Sequence, residues 1–121
     1  MQDFKSLKVW GKAHELTLEV YKETQRFPRA EQFGLTAQMR RACCSMPSNI
    51  AEGCGRNSQR EFAQFLQLAI GSANELEYDL LLARDLSYLD RDAHGRLSMA
   101  TAEIRKMLSA LLRKVRGNLK G

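Results

Sequence analysis

Apolar residues recur at steps of three and four along most of the chain, and no segment alternates apolar and polar residues with a period of two. Steps of three and four place side chains on one face of a helix, whereas a period of two would indicate a strand. The pattern predicts four amphipathic helices, at about residues 7–26, 35–54, 58–87 and 91–117. Because the connections are short, the chain is predicted to be all-α, an antiparallel up-down four-helix bundle.

Residues that favour helix ends support these limits. Ser6, Ser58 and Asp90 carry side-chain oxygens that accept hydrogen bonds from a first helical turn, so each is predicted to be an N-cap. Ser58 is followed three residues later by a glutamate, which completes the capping-box pattern. Gly53 and Gly55 are predicted to end the second helix.

The composition fits one globular domain. The chain has 121 residues, the size of a single domain, so residues 1–121 are interpreted as one unit. Hydrophobic residues make up 44% and charged residues 27% of the chain, as in soluble proteins. The longest apolar run, residues 80–83, is too short to span a bilayer, and residues 1–5 lack the apolar region of a signal peptide. We therefore expect a cytoplasmic protein.

The second helix contains a proline within its helical pattern. Pro47 has no N–H, so the helix loses the hydrogen bond to the carbonyl of Cys43, and a kink is predicted there. Cys43, Cys44 and Cys54 have no nearby histidine and no CxxC spacing. They are interpreted as small buried apolar residues, with a zinc site or a disulfide as the less favoured alternatives.

A polar stripe runs beside the apolar face of the same helix. At about 100° per residue, it consists of Arg41, Ser45, Ser48, Glu52 and, slightly off the line, Asn49. Arg41 and Glu52 lie three turns apart, so each is predicted to find a partner on another helix or chain, with Glu75 and Arg84 as candidates. The favoured interpretation is a polar network that fixes helix register, and a binding or catalytic role is the alternative.

Positive charge is concentrated on the fourth helix. The chain carries a net charge of +5, and Glu103 is the only acidic residue from Ala93 onward. The basic residues of the outer face are Arg105, Lys106, Arg113, Arg116 and Lys120, and Arg40, Arg56 and Arg60 extend this surface around the second turn. Such a surface is predicted to bind nucleic-acid phosphates in a salt-dependent way. The alternative is a solvated face with cations favoured near a helix C-terminus.

The third helix is more apolar around its circumference than its bundle neighbours can cover. The surplus residues are Leu68, Ile70, Leu81, Leu82 and Leu86. Because a helix of this kind buries more than one face, these residues are predicted to form an oligomer interface.

No catalytic or metal-binding motif occurs in the chain. His14 and His94 lie on different helices, and neither has a partner at metal-ligand spacing. The Glu-x-x-His pairs of di-iron bundles, the H-E-x-x-H motif, the P-loop and G-x-S-x-G are all absent. We expect no enzyme, no metal and no cofactor. The one enzymatic alternative is a hydrolase that uses Glu52 and Glu75.

A series of short motifs resembles one small family. The motifs are Leu7-Lys8-Val9-Trp10, Phe33-Gly34-Leu35-Thr36-Ala37-Gln38-Met39-Arg40-Arg41-Ala42, Ser45-Met46-Pro47-Ser48-Asn49-Ile50-Ala51-Glu52-Gly53, Glu61-Phe62 and Gly71-Ser72. They resemble the bacterial four-helix-bundle proteins named after intervening sequences in 23S ribosomal RNA genes. The resemblance covers about residues 3–90, while the fourth helix matches in pattern only.

The resemblance implies a four-helix bundle that assembles as a homopentamer around a central channel. A relative of similar fold, the accessory variability protein of diversity-generating retroelements, is a basic pentamer that binds nucleic acid and a reverse transcriptase. Two hypotheses follow. The chain is a noncatalytic homo-oligomer that binds RNA or DNA, RNA in the first place, through basic outer surfaces. Alternatively, it is a scaffold that recruits a partner enzyme such as a reverse transcriptase and has no nucleic-acid role. Neither hypothesis involves a membrane.

Overall fold

Four α-helices account for most of the chain. The computed structural model describes residues 2–120, with the backbone alone at Lys120, and within that range it contains no strand. The helices are α1 (Lys8–Thr24), α2 (Leu35–Cys54), α3 (Gln59–Asp85) and α4 (Arg91–Lys120). Short 3₁₀ turns at Phe4–Ser6 and Arg29–Glu31 precede α1 and α2. The predicted all-α class and the four predicted helices are confirmed.

The helices pack in chain order, and α1 closes the bundle against α4. At one end, the backbone N–H of Gln2 donates to the carbonyl of Cys54 over 3.1 Å, which joins the start of the chain to the end of α2. At the same end, Arg116 near the end of α4 contacts Gln67 near the start of α3. This end therefore unites the beginnings of α1 and α3 with the ends of α2 and α4. Within residues 2–120, no helix is long and apolar enough to cross a membrane.

The core lies between the four apolar faces. Its largest fully buried side chains are Leu16, Met39, Met46, Ile50, Leu66, Leu76, Leu80, Leu97, Ile104, Leu108, Val20 and Thr101. Each buried aliphatic side chain contributes about 1.5–3 kcal/mol through removal of its surface from water. The amphipathic pattern of each helix is thus the main source of stability, and it fixes which face of each helix turns inward.

Two of the three predicted N-caps are confirmed. Ser58 Oγ accepts the N–H of Glu61 at 3.1 Å, and Asp90 Oδ1 accepts the N–H of Ala93 at 2.7 Å. Ser6 is not a cap of α1: the N-cap is Leu7, which offers no side-chain acceptor. The Ser6 hydroxyl donates instead to the Asp3 carbonyl, since residues 4–6 form a separate 3₁₀ turn.

Of the two glycines predicted to end α2, Gly55 is the C-cap and Gly53 packs inside the last helical turn. Gly55 has a φ of −82°, so α2 ends without the left-handed residue that favours glycine. Gly53 is helical and buried, and a Cβ there would lie 2.8 Å from Cδ1 of Phe62 and 2.9 Å from Cβ of Phe65. The close approach of α2 and α3 at this end therefore requires glycine at position 53.

Candidate functional site

Helix α2 continues without interruption through Pro47. The Cys43 carbonyl, which lacks its helical donor for this reason, lies 3.3 Å from Oγ1 of Thr17 on α1. The Thr17 hydroxyl also lies 2.8 Å from the carbonyl of Ala13 in its own helix. Because the hydroxyl has one hydrogen, these two carbonyls share it, and the neighbouring helix compensates in part for the donor that the proline removes.

Part of the polar stripe joins α2 to α3. Asn49 Nδ2 donates to the carbonyl and the Oγ of Ser45, at 2.8 and 2.9 Å. Ser72 Oγ of α3 lies 2.7 Å from Ser45 Oγ. Ser48, by contrast, is exposed. The hydrogen-bonded chain from Asn49 through Ser45 to Ser72 fixes the axial position of one helix against the other, and Ser72 is the member that the stripe alone did not identify.

The charged ends of the stripe behave differently from the prediction. Glu52 pairs with Arg56, four residues further on, at 3.4 Å, so a partner on another helix was the wrong expectation. The Arg56 guanidinium also lies 4.9 Å from the centroid of the Phe65 ring, which places it against the first turns of α3. Arg84, a predicted partner, pairs with its neighbour Asp85 at 3.1 Å.

Asp79 on α3 is a buried carboxylic acid beside the contact between α2 and α3. Its Oδ1 accepts Nε2 of Gln38 at 2.9 Å, while its Oδ2 has no hydrogen-bond partner within the described part of the chain. Burial raises the pKa of Asp79 to about 6, and the Glu75 carboxylate adds to the shift, while Gln38 and the Arg41 guanidinium oppose it. In the sequence, the position of Asp79 between Leu76 and Leu80 of the apolar stripe of α3 is the signal that could have indicated its burial.

The hydrolase alternative requires Glu52 and Glu75 to act together. The Ser45–Ser72 and Gln38–Asp79 contacts define the antiparallel register of α2 and α3. In this register Glu75 lies level with about residue 42, so Glu52 is some ten residues, about 15 Å, further along the bundle. Carboxyl pairs that flank one scissile bond lie about 5–10 Å apart. Both side chains are exposed, and the register does not bring them together.

Basic residues collect at the end of the bundle where α1 begins, α2 ends, α3 begins and α4 ends. We define the basic end as residues 2–8, 52–61 and 113–120. It contains eight Lys and Arg against three Asp and Glu, compared with 19 and 14 in the whole chain. The basic residues are Lys5, Lys8, Arg56, Arg60, Arg113, Lys114, Arg116 and Lys120, and the acidic ones are Asp3, Glu52 and Glu61. The net charge of +5 therefore originates here.

Besides Arg56, which pairs with Glu52, Arg40 and Arg105 are predicted nucleic-acid-binding residues that are engaged by their own chain. Arg40 lies near the opposite end, where Nε donates to Thr24 Oγ1 at 2.9 Å and the guanidinium lies 4.6 Å from the Tyr21 ring centroid. Arg105 Nη1 lies 2.6 Å from Oε1 of Glu77, and its side chain is half-buried. These partners neutralise or orient both cations, so neither is an open part of the basic surface.

Of the remaining predicted cations, Lys106 lies at the middle of α4, and the others lie at the basic end. Lys106, Arg113 and Arg60 are exposed, and no ion pair forms between any of them and an acidic residue of the described chain. Arg116 Nη2 donates to Oε1 of Gln67 at 3.2 Å. The side chain of Lys120 falls outside the described residues. Lys114, which the prediction did not include, is exposed beside Arg113.

A sequence model of one family, described as 23S rRNA-intervening sequence protein, matches residues 5–110. The chain belongs to this family. A crystal structure from the family called S23 ribosomal protein, a protein of unknown function from Bacteroides thetaiotaomicron, has the same fold with a TM-score of 0.78. The two sequences are 27% identical, and the match covers 86% of this chain and 97% of the other. No protein of curated function matches the chain.

The family match extends the predicted resemblance into α4. The residues matched reach position 110, whereas the motifs alone gave a resemblance up to about residue 90. Arg113, Lys114 and Arg116 lie beyond the matched residues of this 23S rRNA-intervening sequence protein. The basic end therefore combines family positions on α1, α2 and α3 with a C-terminal segment outside them.

The surplus apolar residues of α3 divide into two groups. Leu68, Leu81 and Leu86 are exposed, at 56%, 40% and 46% of their surface. Ile70 and Leu82 pack against the core of their own chain, because their positions turn toward the neighbouring helices. Of the five predicted interface residues, only these three leucines are exposed. Tyr78 of the same helix, which the prediction did not include, is also exposed, at 58%.

The cysteines are free thiols. Cys43 and Cys54 are buried, as interpreted, and burial raises the pKa of the Cys43 thiol to about 12. Cys44 is only half-buried, and its Sγ lies 3.5 Å from the hydroxyl of Tyr21. Among residues 2–120, no group of three or more His, Cys, Asp or Glu side chains is arranged to hold a metal ion.

Proposed function

We propose that this 23S rRNA-intervening sequence protein is a noncatalytic, cytoplasmic homo-oligomer that binds nucleic acid, in the first place RNA, through its basic end. The observation that carries the proposal is the segregation of charge along the bundle. Eight basic and three acidic residues lie at the basic end, and the rest of the chain is neutral. A polyanion would therefore be attracted to one end of the molecule.

The exposed cations are suited to phosphate contacts without base recognition. Arg113 and Lys114 project from the last turns of α4, and Arg60 projects from the first turn of α3. Each phosphate that such a side chain neutralises releases a condensed counterion, so affinity falls steeply as salt rises.

Assembly into an oligomer would strengthen the weak binding of nucleic acid by a single basic end. A single bundle offers a handful of cations, whereas an oligomer repeats the basic end once in each copy, and linked sites bind one long polyanion far more tightly than one site does. The family resemblance implies five copies. Leu81 and Leu86, the exposed leucines of α3 that lie away from the basic end, supply apolar surface for such contacts.

Fluorescence anisotropy with a labelled structured RNA, measured across a series of salt concentrations, tests the proposal. Arg113 and Lys114 are both changed to Glu in one variant, and Arg26 and Arg29, exposed near the opposite end, are changed to Glu in a control of equal net charge. We expect the first variant to lose at least about tenfold in affinity and to show a shallower salt dependence, while the control stays near the wild type. Equal losses in both variants, or no binding at low salt, would refute it.

The second candidate is a scaffold that recruits a partner enzyme, such as a reverse transcriptase by analogy with the retroelement relative. Exposed apolar side chains away from the basic end favour it: Phe33 is 90% exposed, Met99 76% and Leu18 58%. If a stoichiometric enzyme complex survives nuclease treatment and the Arg113 and Lys114 substitutions, while RNA does not bind, this candidate replaces the first.

A further inference from the structure

A groove of about 410 Å³ crosses the surface of the basic end between α3 and α4. Its floor is apolar and consists of Ala63, Leu68 and Leu119. Leu68 is 56% exposed and Leu119 45% exposed, so water contacts a floor that a ligand could cover. A concave apolar surface of this size, with a few polar groups at its edge, is the usual form of a small-ligand site.

The polar groups at the groove are two arginines and two glutamine amides. Arg60 comes from α3 and Arg116 from α4, and Gln64 and Gln67 lie between them along α3. Arg116 Nη2 donates to Gln67 Oε1 at 3.2 Å, which holds the guanidinium beside the groove. No acidic side chain lines this groove in the described part of the chain. An occupant that combines a flat apolar body, hydrogen-bonding edges and negative charge would match all of these groups.

We propose that the groove receives the base of one unpaired nucleotide and that Arg60 and Arg116 contact the phosphates on either side of it. The proposal rests on the proposed function and narrows it to single-stranded nucleic acid. An amide side chain offers both a donor and an acceptor to a base edge. Guanidinium groups stack on bases and pair with phosphates. A base inside a duplex is already stacked and paired, so it cannot enter the groove.

The surroundings favour a nucleotide over an acidic peptide. Arg113 and Lys114 lie on the same last turns of α4 as Arg116, so positive charge continues beyond the two arginines of the groove. A polynucleotide has a phosphate at every residue and can use this continued charge on both sides of one bound base. A short acidic segment would satisfy the arginines but has no flat ring that could cover the apolar floor while its charge stays at the edge.

Three probes of equal length separate base burial from phosphate attraction. Fluorescence anisotropy compares a short labelled single-stranded RNA, its blunt duplex and an abasic strand that keeps the phosphates. Since a buried or stacked base contributes about 1–3 kcal/mol, we expect the intact single strand to bind at least about fivefold more tightly than the abasic strand and than the duplex.

Substitutions in the apolar floor test whether the base binds in this groove. Leu68→Ser and Leu119→Ser should each reduce the affinity for the intact strand about three- to tenfold, while binding of the abasic strand and the slope of affinity against salt remain unchanged. Leu18→Ser is the matched control, because Leu18 is a leucine of similar exposure on α1, away from the groove. It should bind all three probes as the wild type does. Circular dichroism melting of each variant verifies that the helices remain folded.

Two results would overturn this inference and leave the proposed function intact: equal binding of the intact and abasic strands, or unchanged binding by both floor variants. A peptide of alternating Glu and Leu that displaces the intact strand while the abasic strand binds equally well would assign the groove to an acidic protein partner instead. Failure of every nucleic-acid probe at low salt would remove the inference together with the proposed function.

Discussion

The hydroxyl of Thr17 on α1 lies 3.3 Å from the carbonyl oxygen of Cys43 on α2, the one carbonyl that Pro47 deprives of its helical hydrogen bond. Thr17 is 8% exposed and Cys43 fully buried, so water does not replace this contact. A helix with an internal proline is ordinarily weakened by about 3 kcal/mol. Here the helix next to it recovers part of that loss, and the two residues depend on each other.

Replacement of Thr17 by Val, which keeps the shape and removes the hydroxyl, should lower the free energy of unfolding by about 1–3 kcal/mol. The buried Cys43 carbonyl would then have no donor. Urea denaturation followed by circular dichroism measures the change through the midpoint and the slope.

The loss should depend on the proline. In a Pro47→Ala background the backbone N–H of residue 47 is restored, so the Cys43 carbonyl has its helical donor again. We expect Thr17→Val to cost about 1 kcal/mol less in that background than in the wild type. A double-mutant cycle with no coupling energy would show that the Thr17–Cys43 hydrogen bond does not stabilise the fold.

The four helices could be predicted because each is encoded locally. Apolar steps of three and four along 7–26 or 58–87 identify a helix and its inward face without knowledge of its neighbours. The Thr17–Cys43 contact could not be predicted in this way. Periodicity gives the inner face of α1 and of α2, but not the axial shift between them, and that shift decides which hydroxyl lies opposite the unpaired carbonyl.

The candidate site was only partly predictable for a similar reason. Charge on α4 is visible in the sequence, yet the ion pair of Arg105 with Glu77 depends on the packing of α3 against α4. Arg40 lies near the start of α2, where Thr24 at the end of α1 accepts its hydrogen bond, and this contact depends on how α1 packs against α2. The burial of Asp79 could not be predicted, since a helix wheel does not show which edge of an apolar stripe the next helix covers.

Gly53→Ala should destabilise the protein by about 1–3 kcal/mol, because the added Cβ would lie 2.8 Å from the Phe62 ring and 2.9 Å from Phe65 Cβ. The gain of about 1 kcal/mol in helix propensity is included in that range. Gly95→Ala is the matched control: a Cβ there meets nothing within 4 Å, so stability should rise by about 0.5–1 kcal/mol. Thermal unfolding of both variants measures the difference, and similar behaviour of the two would contradict the close α2–α3 contact.

The exposed leucines of α3 predict the assembly state. We expect multi-angle light scattering to give an oligomer for the wild type and a smaller species for Leu81→Lys, since a buried lysine opposes association. Leu18→Lys on α1 carries the same charge change at a similarly exposed leucine and should assemble as the wild type does. A monomeric wild type would contradict the oligomer, and dissociation by the α1 variant alone would move the interface to α1.

The buried carboxyl of Asp79 should make stability fall as pH rises. Its pKa is 3.8 in a model compound and about 6 in the folded protein, so the folded state binds the proton more tightly than the unfolded state does. Below about pH 4 both states are protonated and the group has no effect. Between about pH 4 and pH 6 the folded state loses about 2–3 kcal/mol relative to the unfolded chain, and above about pH 6 the loss is complete.

Asp79→Asn should therefore stabilise the protein by about 2–3 kcal/mol at pH 7.5 and leave it unchanged at pH 3.5, as measured by urea denaturation at each pH. Glu75→Gln removes the neighbouring negative charge that helps to raise the Asp79 pKa, so it should shift the pH-dependent loss of stability toward lower pH. Glu15→Gln is a control for the loss of an exposed carboxylate and should show the wild-type pH dependence. If Asp79→Asn destabilises the protein at pH 7.5, Asp79 is ionised with a favourable partner, and burial does not govern its pKa.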